Sequence, residues 1–433
     1  MRIGLFSDTY TPHANGVAVC VETLKKGLEK EGHEVFVITC NDKLYVEREG
    51  NVLKLPSVVF KKLYGYSVTT PVQITGFSEV RDLKLDIIHV HTEFGIALFG
   101  RFMARYLKLP LIYTYHTMFE DYTHYINVFN LKLLDKPSLK LVEYISKVYC
   151  EPSNVVIVPS RKTYDVLNKY GVKTKMEILP SGIDLERFKN VDINEVNEIK
   201  KELGLENKKV MIYLGRIAKE KNIEIVLNAF NKIKDVSLIL VGLGPELDIL
   251  KEQYESDNIK FLGKKEYIDV PKYYSLADGF ISASTSETQG LTFIEAMATG
   301  KPLFCTDRVV LDGLLIENEN GYFFDSEDDL VDRINRYYSL TDEERNSMSK
   351  KSIDISMKYD LGKFINKVLS IYEENLGKIY RIEYIKYKKN GLAKIKIKGK
   401  RYWLKNYEPL MLGLKENEKI DQKTLNYIRD NNI

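Results

Sequence analysis

Val210-Met211-Ile212-Tyr213-Leu214-Gly215 is an apolar run closed by glycine, and it restarts a pattern that the chain has already completed once. That restart decides the fold. Upstream, strand-like runs at Ile3 to Ser7, Val35 to Thr39, Ile87 to His91, Leu111 to Thr114 and Val155 to Pro159 alternate with helical spacing. The first helix reads as Val19 to Glu31, with Val21, Leu24 and Leu28 on one face. Downstream, the alternation continues through Val236 to Gly242, Ile259 to Gly263, Gly279 to Ser284 and Pro302 to Thr306. Strands alternating with helices imply an α/β fold of parallel sheets covered on both faces. Two rounds imply two doubly wound, Rossmann-like domains facing a cleft, which suits a chain of 433 residues. The expected domains are 1–180 and 181–360, joined at the turn-rich Leu179-Pro180-Ser181-Gly182-Ile183-Asp184. A helix over 361–377 is expected to return to the first domain, and 379–433 to form a small basic extension containing β-strands.

Doubly wound sheets bind ligands beyond the carboxyl ends of their strands, so the loops there are where the chemistry is sought. Ser286-Glu287-Thr288-Gln289-Gly290-Leu291-Thr292-Phe293-Ile294-Glu295 is such a loop, running into a helix that Gly300-Lys301-Pro302 closes. The free N–H groups and positive dipole end of a helix starting near Gly290 favour a diphosphate, and the missing glycine side chain lets that anion approach. Glu287 precedes the helix and Glu295 stands on its second turn. Carboxylates accept well from sugar and ribose hydroxyls, although two glutamates alone read as surface decoration.

The surroundings add weight to the ligand reading. Arg216 and Lys221, in Gly215-Arg216-Ile217-Ala218-Lys219-Glu220-Lys221-Asn222, flank the turn after the strand at 210–215, where cations can clamp a diphosphate. Gly16, in Asn15-Gly16-Val17-Ala18, offers backbone N–H groups at the first helix of the other domain. No GxGxxG is present, and Val241-Gly242-Leu243-Gly244-Pro245 stops short of it, so an NAD-dependent oxidoreductase is disfavoured. All six histidines lie in the first domain. His89 and His91 alternate on one strand, as a metal pair or as packed residues, while His116 lies just past a strand's carboxyl end and should face the cleft.

Composition narrows the setting. Hydrophobic residues make up 44% of the chain, yet no apolar stretch reaches the ~18 residues that span a bilayer, and Met1-Arg2-Ile3-Gly4-Leu5-Phe6 opens as a strand. The expectation is a cytoplasmic protein or one held on a membrane face. Cys20, Cys40, Cys150 and Cys305 are scattered, which argues against a disulfide framework or zinc ribbon. Charge is uneven: Lys378 to Lys405 holds eleven basic residues against the single acid Glu383, in a chain whose net charge is +3. A basic tail sits on an acidic body.

Asn15-Gly16-Val17, His116-Thr117-Met118-Phe119, Pro180-Ser181-Gly182-Ile183-Asp184, Gly215-Arg216 with Glu220-Lys221-Asn222, and Glu287 to Glu295 followed by Ala296-Met297-Ala298 occur in that order over residues 1 to 377. Together they resemble the retaining glycosyltransferases of family 4, which have the two-domain GT-B fold. Phe6-Ser7-Asp8-Thr9-Tyr10-Thr11-Pro12 and the Glu287 loop are most similar to those of the family's diacylglycerol glucosyltransferases. The resemblance implies transfer of glucose from UDP-glucose to the 3-hydroxyl of 1,2-diacylglycerol, without a structural metal or tightly bound cofactor. It implies that Arg216 and Lys221 hold the diphosphate, Glu287 the transferred sugar and Glu295 the ribose. Gly16 and the backbone of Thr288, Gln289, Gly290 and Leu291 would touch the phosphates, His116 the sugar, and Gly263 and Lys264 the uracil. Glucose is not distinguished from galactose by the sequence, and other readings are a soluble family relative using another UDP- or GDP-sugar and a small polar acceptor, without vesicle binding, and a nucleotide-sugar-binding protein without turnover.

A lipid acceptor requires a membrane contact. Phe129 to Tyr149 sets Leu131, Leu133, Leu134, Leu139, Leu141, Val142 and Ile145 among Lys132, Lys136, Lys140 and Lys147, which suits either a lipid interface or a core-facing helix. In the tail, Ala393-Lys394-Ile395-Lys396-Ile397 alternates, and Lys398-Gly399-Lys400-Arg401 reads as a turn into Tyr402-Trp403-Leu404. An anionic membrane surface is the expected partner of this charge, with Trp403 as an interfacial anchor. Nucleic acid is not expected, because the rest of the chain reads as a sugar-transfer enzyme.

Overall fold

The computed structural model describes residues 1–11, 15–41, 43–60, 66–69, 73–116, 137–376, 382–388, 392–397 and 400–404. The first half contains β1 (Arg2–Phe6), α1 (Gly16–Lys30), β2 (Glu34–Asn41), β3 (Glu47–Glu49), β4 (Val52–Pro56), β5 (Val58–Phe60), β6 (Tyr66–Val68) and α2 (Ile74–Asp82). It continues with β7 (Ile87–Val90), α3 (Gly95–Tyr106), β8 (Leu111–Thr114), α4 (Pro137–Cys150), β9 (Val155–Val158), α5 (Arg161–Lys169) and β10 (Met176–Ile178). The main sheet has the order β10-β9-β8-β7-β1-β2-β4-β3, parallel except for β3, while β5 and β6 pair separately.

The strands β1, β7, β8 and β9 are apolar without alternation because both sheet faces are covered. One face packs under α2, α3, α4 and α5 through Val80, Phe99, Met103, Val142 and Leu167. The other packs under α1 through Val21, Leu24 and Leu28. The helix α1 starts three residues before its apolar spacing, because Asn15 caps it by accepting from Ala18 N at 2.9 Å.

The second half contains α6 (Leu185–Lys189), α7 (Ile193–Glu202), β11 (Lys209–Leu214), α8 (Ile223–Lys232), β12 (Val236–Val241), α9 (Leu247–Tyr254), β13 (Ile259–Gly263) and α10 (Val270–Leu276). After these come β14 (Gly279–Ser282), α11 (Leu291–Ala298), β15 (Leu303–Cys305), β16 (Gly321–Phe323), α12 (Glu327–Ser339), α13 (Asp342–Ser356) and α14 (Leu361–Asn375). The sheet is parallel throughout, in the order β13-β12-β11-β14-β15-β16. Two crossings of the chain between the halves lie side by side: Ile183 N donates to Tyr359 O at 2.9 Å and Leu361 N to Ile183 O at 3.1 Å. The helix α14 then packs on α1 in the first half, bringing Phe364, Val368 and Tyr372 into its core. A separate antiparallel sheet follows, made of β17 (Ile382–Lys388), β18 (Leu392–Ile397) and β19 (Lys400–Leu404).

Strand order reverses between β1 and β7 in one sheet and between β11 and β14 in the other. The loops leaving these four strands therefore line the cleft.

Candidate active site

One side of the cleft is built by β11 and β14, neighbours at the switch point of the second sheet. After β11 the chain makes a single turn at Lys219–Lys221 and enters α8, with Asn222 left-handed at the junction and its side chain donating to Ala283 O at 3.3 Å. This anchors Lys221 beside the loop after β14. Lys221 Nζ lies 2.6 Å from Glu287 Oε1 and 3.4 Å from Ser284 Oγ. Burial opposes ionisation of Glu287, but the charge and hydrogen bond of Lys221, with help from Ser284 and Lys162, outweigh it and hold the carboxyl below the usual range. The Arg216 guanidinium stands 3.9 Å from Glu220 Oε1, while the Tyr213 hydroxyl donates to Arg216 O at 2.8 Å.

Gly290 caps α11 in the left-handed region at φ 70°, where a Cβ would meet the Phe293 ring at 2.3 Å. No other residue type fits there without strain. The helix opens without a side-chain cap and points its N-terminus at the cleft, where Leu291 Cδ1 is the nearest neighbour, at 4.0 Å, of a Cβ built on Gly16. Two helix starts thus lie close together, one from each half, and a helix start is a place where free N–H groups can receive an anion.

Glu295 lies deeper, buried behind the first turn of α11. It accepts from the Tyr274 hydroxyl at 3.0 Å, and burial raises its carboxyl to about 7 against the pull of Tyr274, Tyr267 and Arg187. The Arg187 guanidinium lies 4.1 Å above the Tyr267 ring. Gly263 ends β13, where its carbonyl accepts from Gly242 N at 3.0 Å; Lys264 follows, 3.3 Å from Glu266.

Among the described residues, several contacts join the two halves at or beside the cleft. Thr288 Oγ1 donates to His116 O at 3.1 Å, and Gln289 holds the Ser181 backbone through both ends of its amide. Lys162, on α5, donates to Thr285 O at 2.9 Å and Asp307 Oδ2 at 3.0 Å. His116 itself lies 3.2 Å from His91, Nε2 to Nδ1. Thr117, Met118 and Phe119 of the motif lie outside the described residues.

Sequence reasoning missed Lys162, Arg187, Tyr267 and Tyr274, whose residue types carry no pattern and whose partners lie far along the chain. It also missed Asp8, a buried carboxylate that accepts from Thr92 Oγ1 at 2.6 Å, Ile96 N at 2.8 Å and Phe94 N at 3.1 Å. Asp8 thereby joins the end of β1 to the N-terminus of α3. Of the two readings for His89, packing fits: its nitrogens lie 2.7 Å from Tyr372 Oη and Thr114 Oγ1. Among the described residues no three His, Cys, Asp or Glu side chains are grouped to hold a metal. Gly242 and Gly244 are explained by packing, since a Cβ on Gly242 would stand 1.8 Å from Gly215 O. Their loop supports the Arg216 turn through Ile217 N, which donates to Leu243 O at 2.9 Å.

The sequence model described as Glycosyltransferase Family 4 matches residues 14–187, and that described as Glycosyl transferases group 1 matches 195–354. An alpha-monoglucosyldiacylglycerol synthase of Streptococcus pneumoniae is 34% identical over 448 aligned positions, covering 96% of this chain and 98% of that protein. One from Acholeplasma laidlawii is 36% identical, covering 76% of this chain and 86% of the relative. Among solved structures, Anabaena HepE in complex with UDP-glucose superposes with a TM-score of 0.66 at 17% identity, covering 86% of this chain and 100% of that one. That likeness is one of fold, the GT-B pairing of two Rossmann-like domains.

Proposed function

The chain belongs to glycosyltransferase family 4 and is a hexosyltransferase of GT-B fold, and from that premise we propose that it moves glucose from UDP-glucose to the 3-hydroxyl of a 1,2-diacylglycerol with retention of configuration. What carries this reading is identity to a monoglucosyldiacylglycerol synthase along 96% of the chain, not over the donor half alone. Arg216 and Lys221, with the helix starts at Gly16 and Gly290, hold the diphosphate. Glu287, kept ionised by Lys221, accepts from the hexose hydroxyls, Glu295 accepts from the ribose, and Gly263 and Lys264 flank the uracil. The acceptor oxygen attacks C1 on the face from which the diphosphate departs. The C1–O bond to phosphate breaks, UDP leaves with the electron pair, and a phosphate oxygen takes the acceptor proton. The two cations stabilise the charge developing there. A covalent role for Glu287 fits less well, because the lysine at 2.6 Å occupies and stabilises the carboxylate.

The reaction is proposed to run at the cytoplasmic face of a membrane. Among the described residues no helix is long and apolar enough to cross one. Support for a surface contact comes from α4, which buries Val142, Ser146 and Cys150 but leaves Leu141, Tyr144 and Val148 exposed, with Lys140 and Lys147 on the same helix. Residues 129–136 of the same amphipathic stretch lie outside the described residues. The tail adds support: pairing sets Lys386 opposite Lys394, Lys394 opposite Trp403, Tyr384 opposite Lys396 and Lys396 opposite Arg401. The register thus sets basic and aromatic positions opposite one another across the sheet. The turn at Lys398-Gly399 and residues 405–433 lie outside the described residues.

The test is incubation with radiolabelled UDP-glucose or UDP-galactose and diacylglycerol vesicles, then lipid extraction and NMR of the anomeric proton. An α-glucosyl lipid is expected. Label confined to water-soluble product would sink the acceptor, and label in lipid from UDP-galactose alone would sink the donor.

A further inference from the structure

Three imidazoles run from α14 to the cleft. His89 and His91 lie two residues apart on the same face at the end of β7, ring centroids 4.0 Å apart, and His91 stacks in turn on His116 at 5.5 Å. His89 has both nitrogens engaged, by Tyr372 and Thr114. Among the described residues His91 has one hydrogen-bond partner: its Nδ1 lies 3.2 Å from His116 Nε2, and its buried Nε2 has none. Burial, joined for His91 by the neighbouring imidazoles, pulls His91 well below the usual histidine range and His116 to about 4. Both rings are therefore neutral near pH 7, and one hydrogen lies between them.

Two arrangements satisfy that contact. If His91 carries its proton on Nε2, the core holds an N–H with no acceptor and His116 donates from its own Nε2. If His91 carries it on Nδ1, only a bare lone pair is left in the core and His116 Nε2 accepts. A buried N–H without a partner is the rarer defect in native structures, so the second arrangement is favoured. Neutral His116 must then bear its hydrogen on Nδ1, because the bond made by one ring nitrogen sets the state of the other.

We propose that His91 is a positioning residue that fixes His116 in the Nδ1–H form, so that His116 offers the transferred hexose a hydrogen-bond donor in place of a lone pair. The proposal rests on the reading that His116 reaches the sugar. It gives the orphan nitrogen of His91 a reason: this ring is held for its effect on the next one.

The test is long-range ¹H–¹⁵N correlation of the histidine side chains in the full-length protein near pH 7, with assignment through His116→Ala. The wild type should show His116 protonated at Nδ1; protonation at Nε2 overturns the proposal without any variant. His91→Leu removes the donor, and should move the His116 proton to Nε2 and lower kcat about tenfold or more with the donor KM nearly unchanged. His91→Asn, whose amide can stand where Nδ1–H stood, should restore the wild-type protonation state and most of the turnover. His91→Leu with the wild-type His116 signal would also overturn the proposal. If the proton moves in His91→Leu while kcat does not, the hold of His91 stands and the role of His116 at the sugar is what fails.

Discussion

Gln289 grips Ser181 by its main chain: its side-chain oxygen accepts from Ser181 N at 2.8 Å and its nitrogen donates to Ser181 O at 2.9 Å. The loop that carries Glu287 is thus fastened to the crossing between the two halves, where Ser181 Oγ also lies 3.3 Å from Cys20 Sγ of α1. Both residues are buried, so Gln289→Ala strands a backbone N–H and a carbonyl at a cost of about 1–3 kcal/mol. The variant should melt earlier and bind UDP more weakly, as differential scanning and calorimetry would report. Unchanged melting would mean that the grip contributes nothing in solution.

Arg216 is the second cation proposed to hold the diphosphate, 3.9 Å from Glu220 in the turn after β11. Arg216→Ala should lower turnover by about 10²-fold or more while leaving the fold intact, by analogy with the loss of other groups that meet charge in the transition state. Steady-state assays with circular dichroism as the control for folding would decide it. Near-normal turnover would remove Arg216 from the proposed mechanism.

Glu295 should make donor binding depend on pH. An unfolded glutamate ionises near ~4.3, whereas burial puts the native carboxyl at about 7. Between those values the native state keeps a proton that the unfolded chain has released. The site's contribution to stability is therefore complete below the unfolded value and is lost as pH rises to about 7. Ribose hydroxyls donate better to the ionised form, so UDP-glucose affinity should strengthen as pH climbs through about 7. UDP-glucose suits the calorimetric test because its diphosphate is esterified at both ends and does not titrate there. Glu295→Gln should flatten the profile, and a flat wild-type profile would count against a ribose contact.

The strands were legible because runs such as Val210 to Leu214 are buried on both faces and need no alternation to be seen. The short strands β3 to β6, β10 and β16 were not, since three-residue strands such as Glu47–Glu49, Val58–Phe60 and Met176–Ile178 carry little pattern of their own. In the candidate site, positions set by local geometry could be read: Gly290 at a helix start, and Arg216 and Lys221 at a turn. Residues that act through domain apposition could not. Lys162 meets the Thr285 carbonyl 123 positions away, and Asp8 caps a helix 88 positions downstream. The ambiguity at His89 has the same origin, for the hydroxyl it meets belongs to Tyr372, 283 residues further on.

The basic C-terminal sheet should discriminate between membranes. Paired positions put Lys386 and Lys394 side by side, and a basic residue near an anionic surface contributes up to ~1 kcal/mol, so reversing both charges removes attraction and adds repulsion. The full-length Lys386→Glu/Lys394→Glu variant should therefore bind vesicles rich in phosphatidylglycerol more than tenfold more weakly in a sedimentation assay. Binding to phosphatidylcholine vesicles, which lack net charge, should change little, because the apolar contacts proposed for Leu141, Tyr144 and Val148 are untouched. Turnover on detergent-dispersed diacylglycerol should also persist, since neither lysine is in the cleft machinery. Equal weakening on both kinds of vesicle would mean that the sheet does not read surface charge, and that α4 alone carries the docking.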